Sequence, residues 1–205
     1  IVTVDNWVAS PDMVMPETVL DLVEDDMGNP ILVLHGAEPD AHWESFTTAI
    51  SEISERAGVE ITFSLHGVPS GVPHTRPTPV HVQATDASLL PSGVQVTNHM
   101  QFPSPLSTFV QIRMGQRGIG GLALLGAVPY YMADTAYPAA SSALLTSLAK
   151  FADLSLPVGD LEQGAAQDQE NIEKLVEGNP EVSHTVSALE EHFDAWTGGT
   201  GAIPL

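Results

Sequence analysis

The chain has 205 residues, of which 43% are hydrophobic and 16% charged, and its 26 acidic and 6 basic side chains give a formal net charge of −20. This length supports one large domain with a substantial core, and the composition excludes a disordered chain. The strong negative charge argues against binding to nucleic acids or acidic membrane surfaces, and no apolar run is long enough to span a bilayer. The lack of cysteine excludes disulfides, thiolate zinc sites and cysteine nucleophiles. We therefore expect a soluble, cytoplasmic protein.

The charged residues are distributed unevenly along the chain. Residues 1–60 carry 13 acids and one base, and residues 150–205 carry 11 acids and two bases, whereas residues 61–149 carry only two acids and three bases. So few charges cannot make an ordinary solvated surface. The neutral stretch is either all core of the monomer or is partly buried against other copies or a partner, and the second interpretation is favoured.

Residues 31–67 predict a strand–helix–strand unit of a parallel sheet. The apolar run 31–34 is typical of a strand that is buried on both faces. Asp40 is the expected N-cap of a helix that has one apolar face and ends at Gly58. Residues 59–67 then alternate between apolar and polar side chains, as in a second strand. Such a βαβ unit has a right-handed crossover.

The rest of the chain predicts three further strands and then only helices. The predicted elements are strands at 78–85, 94–97 and 122–128 and helices at 105–118 and 138–151. After residue 156, two apolar stripes flank a Gly-Asn-Pro turn and predict a helical hairpin at 157–197, followed by a flexible tail at 198–205. The fold class is therefore α/β, with a three-layer αβα sandwich over residues 1–156 and the hairpin attached to it.

The most unusual segment is the proline-rich loop 72–79, which contains Pro-His-Thr-Arg-Pro. It follows a predicted parallel strand, and open α/β sheets bind ligands at the carboxyl ends of their strands. Its prolines lower the entropy lost when His74 and Arg76 are held toward a target. Arg76 could clamp the carboxylate of a ligand, or it could form a subunit contact or an internal salt bridge, for which Glu38 and Asp40 are the candidates. The internal or subunit contact is the favoured interpretation.

Tyr130 and Tyr131 follow the strand at 122–128 on the same expected edge, where they could line a pocket, anchor an interface or simply pack. The sequence contains no serine nucleophile elbow, phosphate-binding loop or dinucleotide fingerprint, and its histidines do not follow a metal-binding pattern. We therefore predict neither a metal nor a cofactor and assign no catalytic residue.

Several segments together resemble the proteasome assembly chaperone 2 family, in its actinobacterial branch of uncharacterised homologues. They are Leu-His-Gly-Ala-Glu-Pro-Asp at 34–40 with Trp43 and Phe46, Pro-His-Thr-Arg-Pro at 73–77, Val-Pro-Tyr-Tyr at 128–131, Pro-Ala-Ala at 138–140 and Leu-Glu-Glu at 189–191. The resemblance runs from about residue 30 to residue 195. It implies a phosphorylase/hydrolase-like sandwich with a carboxy-terminal helical extension, and self-association, with a trimer as the first expectation. For the eukaryotic relatives it implies binding to proteasome α subunits.

Three features depart from the family pattern. The chain ends in Ala-Ile-Pro-Leu and not in the hydrophobic-tyrosine-any tail through which eukaryotic relatives dock. A further strand and a glycine-rich turn of the relatives are expected before Ile1. Tyr130 stands where many relatives are expected to have histidine, which argues against a conventional catalytic site at this edge.

Two functions remain open at this point. The favoured one is a non-enzymatic, self-associating, chaperone-like protein whose partners include further copies of the chain and proteasome subunits. The alternative is a small-molecule-binding protein or a hydrolase- or phosphorylase-like enzyme that acts on an anionic substrate. In that alternative His74 is the acid or base, Arg76 is the anion clamp, and Tyr130 or Tyr131 is a wall of the site.

Overall fold

The computed structural model of the chain describes residues 2–5, 7–13, 17–91, 101 and 103–197. The strands are β1 (Val2–Asp5), β2 (Val8–Met13), β3 (Thr18–Glu24), β4 (Pro30–Gly36), β5 (Ile61–Ser70), β6 (Val80–Ala84) and β7 (Gly120–Pro129). The helices are α1 (Trp43–Ala57), α2 (Leu106–Gly115), α3 (Pro138–Ala152), α4 (Gly159–Glu177) and α5 (Pro180–Thr197). The predicted strand at 94–97 and the predicted tail at 198–205 lie outside the described residues.

The core of the molecule is a three-stranded sheet in the order β5-β7-β6. β7 lies in the centre, parallel to β5 and antiparallel to β6, and seven of its ten residues are buried. A Cβ atom at Gly121 would lie 3.0 Å from Gln111 of α2, and one at Gly126 would lie 3.0 Å from Leu144 of α3. Because these glycines are five positions apart, they face opposite sides of the strand. The sheet therefore lies between two helical layers, and the predicted αβα architecture is confirmed.

The layer formed by α1 and α2 is joined by aromatic and aliphatic side chains. Trp43 of α1 packs against Phe109 of α2 with ring centroids 5.8 Å apart, and its indole Nε1–H donates to the carbonyl of Pro39 at 2.7 Å. The prediction that Asp40 caps α1 is wrong, because the N-cap is His42 in a left-handed conformation. The bond from Trp43 to Pro39 holds the chain before the helix in a turn, so the helix begins two residues later than Asp40 predicts. The predicted end at Gly58 is confirmed.

The strand at 31–34 exists, but the prediction that it is buried in a parallel sheet is wrong. β4 pairs in antiparallel register with β3, so that Leu20 lies opposite Leu34. Within the described part of the chain the ladder of β4 does not reach β5, so residues 31–67 do not form a βαβ unit of one sheet. The physical reason is the short connection 25–29, which favours antiparallel pairing with the strand directly before β4.

The turn between β3 and β4 is organised by Asp25, which is buried. Its carboxylate accepts backbone N–H bonds from Met27 at 2.9 Å, Asn29 at 2.8 Å and Ser155 at 2.9 Å, and also a bond from the Asn29 side chain. These donors, Ser155 first, lower the pKa of Asp25 to about 2. Since Ser155 follows α3, this single carboxylate ties the β3–β4 hairpin to the helical layer.

The neutral stretch 61–149 forms most of the core, as expected for at least part of it. Among the described residues it holds eleven of the fourteen buried hydrophobic side chains but only three of the twelve large hydrophobic side chains that are exposed. The other nine exposed residues lie within the acidic residues 1–60. Among the described residues, most of the exposed apolar surface is therefore in the first third of the chain.

The carboxy-terminal part is helical, as predicted, with α4 and α5 separated by a turn at Gly178 and Asn179. α4 packs on α3, and α5 returns toward the sheet. None of the helices in the described ranges is long and apolar enough to cross a membrane.

Candidate functional site

The proline-rich loop that follows β5 forms the contact between the sheet and α5. Val72, at the start of the loop, is buried together with Ala127 of β7 and Phe193 of α5. Pro73 is fully buried, and its fixed φ angle helps to hold the loop in one path. The loop therefore presents its next residues directly to the acidic face of α5.

Arg76 is bound by two carboxylates of α5. Its Nε and Nη2 atoms donate to the two oxygens of Asp194 at 2.8 and 2.7 Å, and its Nη1 donates to Glu190 at 3.2 Å. Glu190 also accepts a hydrogen bond from the hydroxyl of Thr75. The bidentate geometry lowers the pKa of Asp194 and raises that of Arg76, chiefly through their mutual side-chain hydrogen bonds. We call this set of three α5–loop contacts, made by Thr75, Arg76, Glu190 and Asp194, the clasp.

The clasp confirms the internal salt bridge expected for Arg76 but corrects its partners. Glu38 and Asp40 are both exposed in the loop after β4 and make no ion pair with Arg76. Glu38 instead lies close enough to His66 of β5 to favour the charged form of that ring electrostatically, although burial keeps the pKa of His66 below its usual value. The sequence could not show which acids meet the loop, because Glu190 and Asp194 are more than 110 positions further along the chain.

His74 and Tyr131, two of the predicted site residues, do lie in contact. The Tyr131 hydroxyl oxygen is 2.7 Å from Nδ1 of His74 and accepts the backbone N–H of the same residue at 2.9 Å. Burial raises the pKa of Tyr131 to about 12, so its hydroxyl stays protonated. Within the described part of the chain, Nδ1 of His74 is the acceptor within reach of that proton, and we assign the hydrogen bond in this direction. Nδ1 is then the acceptor, and the neutral ring carries its proton on Nε2.

The Nε2 atom of His74 is buried and has no hydrogen-bond partner within the described part of the chain. The whole residue is only 7% exposed, and burial lowers the pKa of the ring despite the opposing effects of Glu173 and Glu190. An unpaired buried N–H costs free energy, so this atom is either a strained feature or a position that an external acceptor fills.

Tyr130 behaves differently from its neighbour. Its ring contacts that of Tyr131 edge-on at 5.6 Å between centroids, but the residue is 50% exposed. It therefore lies at the surface beside the pair formed by the buried His74 and the half-buried Tyr131, and does not form part of it. Of the six predicted site residues, the structure brings together His74, Arg76 and Tyr131, and it places Glu38 and Asp40 elsewhere.

An open cleft of about 490 Å³ lies between the loop, α3 and α4. Small side chains leave the space, because Ala139 and Ala143 of α3 face Ala165 of α4. The remaining lining includes His74, Arg76, Thr78 and Tyr137 on one side and Glu162 and Asp168 of α4 on the other. Apart from Arg76, whose charge is matched by the clasp, the charged groups in the lining are acidic.

Sequence reasoning missed Glu190, Asp194, Tyr137 and the two α4 acids. The only local signal was the position of Glu190 and Asp194, four residues apart and flanking the apolar stripe of α5. Two acids at this spacing are typical of a solvated helix face unless a basic side chain contacts them. Whether such a contact forms depends on the tertiary structure.

Comparison with known proteins places the chain in a family. Residues 1–176 match the PAC2 family, so the chain belongs to the PAC2 family. The predicted family is confirmed. No curated protein matches the chain.

Solved structures of similar proteins include several from actinobacteria, as the resemblance predicts. A Mycobacterium tuberculosis protein of unknown function is 36% identical, with a TM-score of 0.87, over 97% of this chain and 67% of that one. A PAC2 family protein from Streptomyces avermitilis is 27% identical, with a TM-score of 0.76, over 91% and 78% of the two chains. A proteasome-assembly chaperone homologue from M. tuberculosis is 23% identical, with a TM-score of 0.77, over 91% and 79%, and this likeness establishes the shared fold alone.

Proposed function

We propose that this chain is a cytoplasmic, self-associating, protein-binding member of the PAC2 family with a chaperone-like role, and that proteasome subunits are among its partners. The observation that carries the proposal is the exposed apolar surface of the β3–β4 hairpin. The family membership and the fold shared with a proteasome-assembly chaperone homologue support the choice of partner.

The hairpin is apolar on one face and mixed on the other. On the first face Leu20 pairs with Leu34, and Leu22 pairs with Leu32. The second face carries the valines and isoleucine of the same strands together with an exposed ion pair of Asp21 and His35 at 2.8 Å. Five of these side chains are exposed by 37–70%: Val19, Leu22, Val23, Val33 and Leu34. We call these five residues the hairpin surface.

A two-stranded sheet is marginally stable in water unless its apolar side chains are covered. Exposed apolar side chains concentrated in one hairpin are typical of a surface that binds something. A second copy of the chain is the simplest cover, because aliphatic faces match each other without the charge repulsion that the acidic helices would produce. Trp7, which is 99% exposed near the amino terminus, is a further aromatic anchor for a partner.

The alternative, in which the loop binds a small anion, loses its main support. Arg76 already has both of its guanidinium edges on Asp194 and Glu190, and the cleft beside it is lined by two further acids. An anion entering there would have to compete with the clasp and would be repelled by Glu162 and Asp168.

The test of the proposal is affinity capture of the tagged native protein from its own cells, with Leu22→Asp as the test variant. Recovery of proteasome α subunits with the wild type, and their loss with Leu22→Asp, is the expected result. Ser45→Asp is the matched control, because Ser45 is exposed on α1 and gains the same charge. Recovery of no proteasome subunit would contradict the proposed partner, and equal loss with both variants would contradict the role of the hairpin surface.

A further inference from the structure

The cleft between the loop, α3 and α4 has the properties of a binding site for a positively charged group. The sequence alone suggests a site for an anion at this loop. The cleft volume of about 490 Å³ lies in the range of small-ligand sites. Glu162 and Asp168 project from α4 into its lining, and neither makes an ion pair or a hydrogen bond to a side chain in the described ranges. Asp168 is half-buried, so its charge is only partly screened by solvent.

The positive charge of Arg76, which also lines the cleft, does not balance these acids. Arg76 is matched by Asp194 and Glu190, and together these three groups carry one net negative charge. The cleft is therefore acidic even with Arg76 included. A cation gains from every uncompensated carboxylate around it, whereas an anion is repelled.

One residue of the cleft lining, His74, also has an unpaired ring nitrogen, which is itself buried. The Nε2–H of His74 has no acceptor among the described residues, and the residue forms part of the cleft lining. If the ring turns toward the cleft, a carbonyl oxygen brought by a ligand would satisfy this donor without adding a second negative charge. The acidic groups are complementary to a basic side chain. The single donor is complementary to the peptide carbonyl next to that side chain.

We infer that this cleft binds a lysine or arginine side chain of a partner protein, with Glu162 and Asp168 facing the positive charge and His74 donating to a neighbouring peptide carbonyl. That the basic group is carried by a protein rests on the proposed function. The basic group itself follows from the charges and the cavity alone.

The probe for this inference is Nα-acetyl-lysinamide, which carries a basic side chain between two peptide carbonyls. Nα-acetyl-norleucinamide is its uncharged match, and the corresponding glutamate derivative reverses the charge. Binding is measured by NMR titration of the isotope-labelled chain at physiological salt, where long-range attraction to the acidic surface is screened. We expect the lysine probe to bind at least roughly fivefold more tightly than norleucine, as one charge-assisted contact allows, and to shift the ring resonances of His74.

Variants separate the site from the general acidity of the protein. Glu162→Gln and Asp168→Asn should each weaken the lysine probe by roughly fivefold. Glu170→Gln is the control, because Glu170 is exposed on the same helix, does not line the cleft and loses the same charge. We expect less than a twofold effect from it.

Three results would overturn the inference. They are equal binding of the lysine and norleucine probes, an equal effect of Glu170→Gln and Glu162→Gln, and binding of free lysine as tight as that of its amide, which would reject a peptide source. None of them bears on self-association or proteasome capture, so this inference and the proposed function can fail separately.

Discussion

The guanidinium of Arg76 binds the carboxylate of Asp194 through two parallel hydrogen bonds of 2.8 and 2.7 Å, across 118 positions of the chain. With the contact of Arg76 to Glu190, this pair fixes the last helix of the protein against the loop that follows β5. The same helix places Phe193 against Val72 and Ala127 of the sheet region. One charged and one apolar contact, next to each other, therefore hold α5 in place.

Replacing Arg76 by lysine should loosen α5 without unfolding the sheet. A lysine ammonium cannot make the two parallel bonds to Asp194, although it keeps the charge. We expect faster amide hydrogen exchange in α5 and unchanged exchange in β7, which lies in the core. Arg56→Lys is the control, since Arg56 is exposed at the end of α1. Unchanged exchange in α5 would mean that the clasp does not hold the helix.

Truncating Phe193 tests the apolar half of the same contact. Phe193 is 8% exposed, and its replacement by alanine leaves a cavity beside Val72. We expect the free energy of unfolding to fall by about 3 kcal/mol in urea denaturation, as for other buried phenylalanines. His192→Ala, at the exposed neighbouring position, should change it by less than about 0.5 kcal/mol. Similar small effects of both substitutions would show that α5 does not depend on this cluster.

The stability of the protein should fall as the pH drops below the usual histidine pKa. Burial lowers the pKa of His74 in the folded state, so the unfolded chain takes up a proton near pH 6.5 while the folded chain does not. The stabilisation is therefore complete above about pH 6.5 and is lost progressively below it. His74→Gln should reduce the dependence of unfolding free energy on pH between 7.5 and 5.5 by at most about 1.4 kcal/mol per pH unit.

The substitution should not remove the pH dependence entirely, because burial also lowers the pKa of His66 and His81. The measurement is urea denaturation at several pH values, with the wild type and the variant compared at each. An identical slope in the two proteins would contradict a buried, neutral His74.

Gly126 should not tolerate a side chain. A Cβ atom at this position would lie 3.0 Å from Cγ and 3.2 Å from Cδ1 of Leu144, in the buried contact between β7 and α3. We expect Gly126→Ala to lower the free energy of unfolding by about 1–3 kcal/mol, because the helix must shift to make room. Gly159→Ala is the control, since a Cβ atom at that position would meet nothing within 4 Å. Equal melting temperatures of the two variants would contradict the close packing of α3 on the sheet.

Sequence patterns predicted those elements whose burial follows from local periodicity. The apolar run at 122–128 and the helix from Pro138 both appear where expected, because a central strand and a proline-initiated helix leave clear local signals. β4 follows from local periodicity only in part. Its apolar run correctly indicated a strand, but pairing with β3 depends on a turn held by Asp25 and by Ser155, far along the chain.

The candidate site was predictable only in part for the same reason. A stiff loop carrying His74 and Arg76 was visible in the sequence, and so was a tyrosine pair at the end of the neighbouring strand. Which acids would meet Arg76 was not, because α5 approaches the loop only through tertiary packing. The acidic character of the cleft depends on Glu162 and Asp168, which in the sequence look like any solvated helical acids.

The most direct test of the proposed self-association is sedimentation equilibrium of the full chain at micromolar concentration, beside its Leu22→Asp and Ser45→Asp variants. A monomer has a mass of 21.7 kDa. We expect a multiple of that mass for the wild type and for Ser45→Asp, and a shift toward the monomer for Leu22→Asp, whose new charge would be buried in the contact. A wild type that sediments with the monomer mass at micromolar concentration would contradict the proposed self-association.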